Sequence, residues 1–186
     1  MRLPPPLIEL ISRRALQSLA AKGVIASDHP DRTAEKVARL ISADLSVEDE
    51  ITEEARLLLA EHQEKIRGGD LEYHQLIARA KGQISQRRGY VLSTGPGRLS
   101  REKQHDLAGK IFDLLLGDPD VEYFVKDQEL RNQVLRALEM ELAKDAAREA
   151  RARQKVLNIK RRIPEDSPEF HALFQQFYRE LLDKEG

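Results

Sequence analysis

Two stretches 97 positions apart carry the same pattern of apolar side chains. Tyr73, Leu76, Ile77, Ala80 and Ile84 fall at i, i+3, i+4, i+7 and i+11, and Phe170, Leu173, Phe174, Phe177 and Leu181 repeat that spacing. Such spacing places one continuous apolar face on a helix, and that face must be buried against a neighbour. The same shift lays Val37 on Val134, Arg39 on Arg136 and Ile66 on Ile163. Nearer the start the shift is 96, bringing Arg2-Leu3 onto Arg98-Leu99 and Ile11 onto Leu107. A match that recurs in several segments in one order predicts a tandem duplication.

The boundary between the copies is predicted at Gly89–Gly97, where three Gly and one Pro in nine residues interrupt any helix. The expected organisation is a first helical repeat over 1–88, a linker over 89–97 and a second repeat over 98–186. Residues 1–95 hold 14 basic and 14 acidic side chains, and residues 96–186 hold 17 and 18, so neither half is a charged tail. Each half reads as four helices, giving an all-α fold of two tandem small helical modules. The first helices run from about Pro4 to Lys22 and from Ser100 to Leu116, with Ser100 as cap. The second cover about Asp31–Leu45 and Asp127–Ala143, and the third about Ser46–Arg67 and Lys144–Arg162. The fourth carry the two stripes, the later one capped by Asp166 or Ser167 with Pro168 in its first turn. Val24-Ile25 and Val121–Val125 read as plugs or short extended pieces. Tyr90, Val91 and Leu92 are too apolar for a free linker, so a packed pair of repeats would cover them.

Composition narrows the function classes. Without cysteine there is no disulfide, thiolate metal site or cysteine nucleophile. No apolar run reaches the roughly 18 residues of a membrane span. Charged Glu9, Arg13 and Arg14 interrupt the start where a signal peptide needs apolar residues, so a cytoplasmic location and no membrane partner are expected.

With these segments laid out, the second half resembles the domain of unknown function 507 (DUF507) family of small bacterial proteins. The likeness is carried by Arg98-Leu99-Ser100, by Asp118-Pro119-Asp120-Val121-Glu122-Tyr123, and by the run from Lys160 through Arg162-Ile163-Pro164-Glu165-Asp166-Ser167-Pro168-Glu169 to Phe170. The closing Phe177–Leu182 helix is also similar. The family usually has Trp where Phe170 stands. The first half resembles a diverged second copy, with Gly68-Gly69-Asp70 in place of the Pro-Glu-Asp-Ser-Pro turn. The resemblance implies a helical fold and a bacterial cytoplasmic setting, and it brings no activity or cofactor.

Several clusters of charged and polar residues are candidates for chemistry. Between Arg148 and Arg162 seven basic side chains face the single acid Glu149, a local charge of +6. Arg148, Arg151, Lys155 and Arg162 share a helical face that could follow phosphates. The competing reading is a solvated face opposing Glu139, Glu141, Asp145 and Glu149, and the near-neutral pI of 6.5 favours it. Arg87-Arg88 with Arg98, Arg101 and Lys103 brackets the linker, and the first two suit a helix C-terminus. The acids Glu48-Asp49-Glu50, Glu53 and Glu54 lack the spacing of a calcium loop, and they would suit the first turn of a helix. The five histidines form no i, i+4 pair, though His74 and His171 occupy equivalent places beside aromatic positions and are expected half-buried. Gly95-Pro96-Gly97 lacks the Lys-Ser/Thr of a phosphate loop, and no nucleophile motif appears. No enzyme activity, metal or cofactor is therefore predicted. The expected function is a helical interaction or adaptor protein that binds a protein partner, with a homodimer as one form of it. The alternative is a nucleic-acid or polyanion binder using the face of residues 148–162.

Overall fold

The computed structural model describes residues 3–60, 70–94, 98–159 and 163–185. Among them the order is α1 (Pro5–Ala21), β1 (Ile25–Ser27), α2 (Pro30–Ala60), α3 (Asp70–Arg88), α4 (Arg101–Gly117), β2 (Val121–Tyr123), α5 (Asp127–Leu157) and α6 (Pro168–Asp183). Helix, strand, long helix and helix thus follow one another twice. The fold is all-α, with one two-stranded ribbon among the described residues.

Two local signals place the first helix. Pro5 opens it, where a missing N–H costs nothing. Gly23, at φ +67°, closes it: its N–H donates to Ala20 O, and the Val24 N–H donates to Leu19 O. This pair of bonds satisfies two terminal carbonyls, and buried Leu19 and Val24 accompany the turn. Gly89, at φ +61°, ends α3 with the same two bonds, to Gln86 O and Ser85 O. Ser100 Oγ accepts from the Lys103 N–H, and Ser167 Oγ accepts from the Phe170 N–H, capping α4 and α6.

The second and third helices expected in each half are single helices of 31 residues. Nothing between Leu45 and Ser46, or between Ala143 and Lys144, breaks a helix. Ser46 sits mid-helix, and its hydroxyl donates back to Ala43 O at 2.7 Å instead of capping a new start. At about 1.5 Å per residue each long helix extends some 46 Å. The proximal parts of α2 and α5 pack with α1 and α4, while α3 lies on the distal part of α2 and α6 on that of α5.

The main core is continuous across the sequence midpoint. Leu7, Ile11 and Leu19 of α1, Val37 and Ile41 of α2, Leu107 and Leu115 of α4, and Leu130 and Leu138 of α5 belong to one cluster, which runs on to Phe170 and Tyr178 of α6. A second, smaller cluster joins Ile51 and Ala55 of α2 to Ile84 of α3, with Tyr90 and Leu92 packed against it. The apolar residues around the expected linker are therefore partly covered. The two fourth-helix stripes differ in depth. In α6, Phe170, Phe174, Tyr178 and Leu182 are buried, whereas of the α3 stripe Ile84 is buried and Tyr73, Leu76, Ile77 and Ala80 stay half-exposed.

The short extended pieces pair with each other. β1 and β2 are antiparallel, with Ile25 opposite Tyr123, Ala26 opposite Glu122 and Ser27 opposite Val121. The central pair is separated by 96 positions, the shift found near the start of the chain. Lys36 of α2 pins this end by donating to both carboxylate oxygens of Asp118, at 2.6 and 2.8 Å, and to Asp120 at 3.3 Å.

Candidate functional site

Along α5 the inward stripe is Leu130, Val134, Leu138, Glu141, Asp145, Arg148, Ala152 and Val156. Its ends are apolar and its middle is charged. Asp145 and Arg148 are 1% and 2% exposed, so this charge lies in the interior and must be paired to be tolerated. Arg148 Nη1 donates to Asp145 Oδ1 at 2.6 Å, and the Tyr178 hydroxyl of α6 donates to the same oxygen at 2.6 Å. Arg98, just before α4, engages Asp145 Oδ2 through Nε and Glu149 through Nη2 at 2.9 Å. Its guanidinium carbon also lies 5.1 Å from the centre of the Tyr178 ring.

Beyond α6, Glu185 accepts from Arg148 Nη2 at 2.7 Å. Arg14 of α1 reaches the Glu185 main-chain oxygen, and Arg151 lies 3.8 Å from its carboxylate. One network of four cations and three carboxylates thus ties α1, the approach to α4, α5, α6 and the chain end together.

The ionisation of these groups follows from their neighbours. Burial, and then the Asp145 carboxylate, push the Tyr178 phenol well above its ordinary value, so it remains a donor. Arg148 holds Glu185 below the usual carboxylate range. Burial works against the Arg148 charge, but Glu185 and Asp145 outweigh it and hold the guanidinium above its usual value. These three groups keep one protonation state around neutral pH, which suits a positioning role rather than proton transfer.

Above the network a cleft of about 520 Å³ opens between α5 and α6. Phe170, Phe174 and Ala150 supply its apolar lining, and Arg98, Glu149, Arg153, Glu165, Asp166 and His171 supply its polar lining. Arg153 is paired with Glu165 across the mouth. His171 is exposed rather than half-buried, its ring edge-on to Phe170 with centroids 6.4 Å apart, and His74 stands exposed beside Tyr73 in the same way.

The row Arg148, Arg151, Lys155 and Arg162 is not one solvent-facing strip. Arg148 points inward because its carboxylate partners lie there, and Lys155 rests over the Phe177 ring of α6, 5.3 Å from its centre. Arg151 is 64% exposed, and Arg162 lies outside the described residues. Among the described residues of the face that the sequence suggests for phosphates, Arg148 is buried and Lys155 lies against α6, which leaves Arg151.

The acids near residue 50 are likewise not at a helix start. They lie mid-α2 and meet α3, with Glu50 and Glu54 on Arg88 at 3.4 and 2.5 Å and Glu48 on Lys81 at 3.6 Å. Among the described residues no group of three or more His, Asp or Glu could hold a metal ion. Sequence reasoning missed Tyr178, Arg98 and Glu185 as parts of a site. The available signal was Asp145 and Arg148 in register with Leu138, Ala152 and Val156 on the apolar side of α5.

The family model described as "Protein of unknown function (DUF507)" matches residues 1–186. The chain belongs to the DUF507 family. No curated protein matches the sequence. In this DUF507 protein the Ile163–Phe170 run quoted above forms the turn into α6 and one wall of the cleft, with Glu165, Asp166 and Phe170 lining it. Among its described residues no helix is long and apolar enough to cross a membrane.

Proposed function

We propose that this DUF507 protein is a protein-binding module whose α5–α6 cleft receives a partner, in the bacterial cytoplasm that the family resemblance implies. The observation that carries this reading is the cleft's make-up: aromatic and alanine side chains are bordered by charges of both signs, seated on a buried ionic network that fixes the walls. An apolar centre within a polar rim is the usual anatomy of a protein interface, and a locked supporting layer keeps such a surface in shape. The tandem copy read from the sequence belongs to the same proposal, with the second copy having kept the cleft.

The polyanion alternative rests on Arg151 and Lys155: Arg148, Arg98 and Arg153 are held closely by carboxylates, whereas Arg151 lies 3.8 Å from Glu185 with its side chain 64% exposed. A photo-crosslinking amino acid placed at His171 in cells tests the first reading. One adduct of defined mass is expected there, lost on Ala150→Arg and absent when the probe sits at Glu35. Binding to heparin or duplex DNA that fades with salt and disappears on Arg151→Glu with Lys155→Glu would transfer the function to the alternative. Adducts indifferent to Ala150→Arg would refute the cleft.

A further inference from the structure

From the ribbon at the opposite end of the fold we infer a second binding site, in which the free edge of β1 takes up an extended segment of a partner protein. The hydrogen bonds fix which main-chain groups point where. Phe124 N–H donates to Val24 O and Asp28 N–H donates to Asp120 O, each at 3.0 Å. In an antiparallel pair, bonded and non-bonded positions alternate, so Val24, Ala26 and Asp28 face β2. Ile25 and Ser27 therefore direct their N–H and C=O groups away from it. Those four groups make no hydrogen bond to another described residue. The corresponding edge of β2 is partly used, because the Val121 N–H donates to Asp118 O at 3.0 Å.

A cleft of about 480 Å³ adjoins this unpaired edge, along which Ile25 is buried, Ser27 half-buried and Ala26 exposed. All three residues of β1 line it, although their side chains alternate between faces, so it follows the edge rather than one face. Leu16, Gln17 and Ala20 of α1 form one wall, and Pro30, Asp31 and Thr33 at the start of α2 form another. The strand is held ready. Ser27 Oγ lies 2.9 Å from Thr33 Oγ1 and accepts from the His29 N–H at 3.2 Å, and Gly23 fixes the entry from α1. Arg13, also in the lining, is exposed and makes no ion pair among the described residues.

Unpaired main-chain groups at every second residue match another strand and not a helix, whose own amides are already bonded. The recess also selects the occupant. A second copy would have to bring its own β1 with two flanking helices into the recess between α1 and α2, whereas an isolated strand brings only its own width, about 4.8 Å from β1. A single extended segment fits. We assign to it an apolar side chain beside Leu16, Ala20 and Pro30 and an acidic one toward Arg13.

The test uses random heptapeptides displayed on phage and selected on the full chain, followed by amide exchange with the enriched peptides. Expected are peptides alternating apolar and polar residues with an acid, which slow exchange at Ile25 and Ser27. N-methylation at alternate peptide positions should weaken them about tenfold and leave the positions between unaffected. Gln17→Trp, at an exposed position, should fill the recess and abolish binding with the melting temperature unchanged, whereas Ala150→Arg in the α5–α6 cleft should leave it intact. Failure to enrich any peptide, protection elsewhere, indifference to Gln17→Trp, or a dimer dissolved by that substitution would each overturn the inference.

Discussion

Neutralising Asp145 is the sharpest test of the buried network. In Asp145→Asn the side-chain shape and its contact with the Tyr178 hydroxyl are kept, but the charge between Arg98 and Arg148 is lost. Both guanidiniums are buried, so neither can recover water in exchange. Removing one partner of a buried pair ordinarily costs about 3 to 5 kcal/mol. Here each arginine retains a second carboxylate, Glu149 at 2.9 Å for Arg98 and Glu185 at 2.7 Å for Arg148. The lower end, about 3 kcal/mol, is therefore expected. For a chain of this length each kcal/mol moves the melting temperature by about 2 to 4 °C, so Asp145→Asn should melt roughly 6 to 12 °C lower.

Glu53→Gln provides the control. It removes an ion pair with Arg56 in which both side chains are about 60% exposed (60% and 62%), and such a pair contributes less than about 1 kcal/mol. Thermal denaturation followed by circular dichroism reads both. A double cycle with Tyr178→Phe should show a coupling of about 1 kcal/mol, because Asp145→Asn turns the acceptor of the 2.6 Å bond from the Tyr178 hydroxyl from a charged oxygen into a neutral one. If Asp145→Asn melts within about 2 °C of the parent, or the coupling is nil, the charged core is not assembled as described.

Acid should unfold the chain through its depressed carboxylates. Arg148 lowers Glu185 and Lys36 lowers Asp118, so their contribution is complete above the unfolded carboxylate range of about pH 4 and is lost as pH falls through the folded values. Urea midpoints should drop steeply below about pH 4, and Lys36→Gln should flatten that drop. Tyr90 and Tyr178 are shifted upward by burial, then by the nearby Asp44 and Asp145 carboxylates. Stability present below the phenol's unfolded value near pH 10 should disappear above it, with a late ultraviolet ionisation step removed in the Tyr90→Phe and Tyr178→Phe variants. Gly89→Ala should destabilise by about 1 kcal/mol because φ is positive there, while Gly82→Ala, mid-helix with open space around its Cβ, should stabilise by about 0.5 to 1 kcal/mol. Amide exchange should be faster in α3 than in α4, since Ile84 alone of its stripe is buried.

Much of the helical architecture could be read from residue spacing, because the apolar stripes of α4 and α6 and their Ser100 and Ser167 caps are local signals. Helix continuity was harder to read. Ser46 followed by acids looks like a helix start, but a serine hydroxyl can also bond back to the preceding turn, and only the backbone decides between the two. The two extended pieces could be read, but their pairing could not. Strands of three residues carry too little alternation to point to a partner, and the pairing joins residues 94 to 98 positions apart.

The network shows why charge is the least legible part of such a chain. Arg148 reads as a surface residue because charged side chains are rarely interior, and that expectation holds only for unpaired charge. Three of its network partners, Arg14, Tyr178 and Glu185, lie from 30 to 134 positions away, on elements whose approach to α5 is set by apolar packing. The order of causation follows. Phe170 and Phe174 bring α6 against Ala152 and Val156, and Tyr178 is thereby delivered to Asp145. Phe174→Ala should consequently cost more than its own packing, about 3 to 5 kcal/mol for a buried Phe, by loosening Tyr178 as well. Combined with Tyr178→Phe it should show less than additive loss, and strict additivity would mean that the aromatic packing and the ionic network are independent.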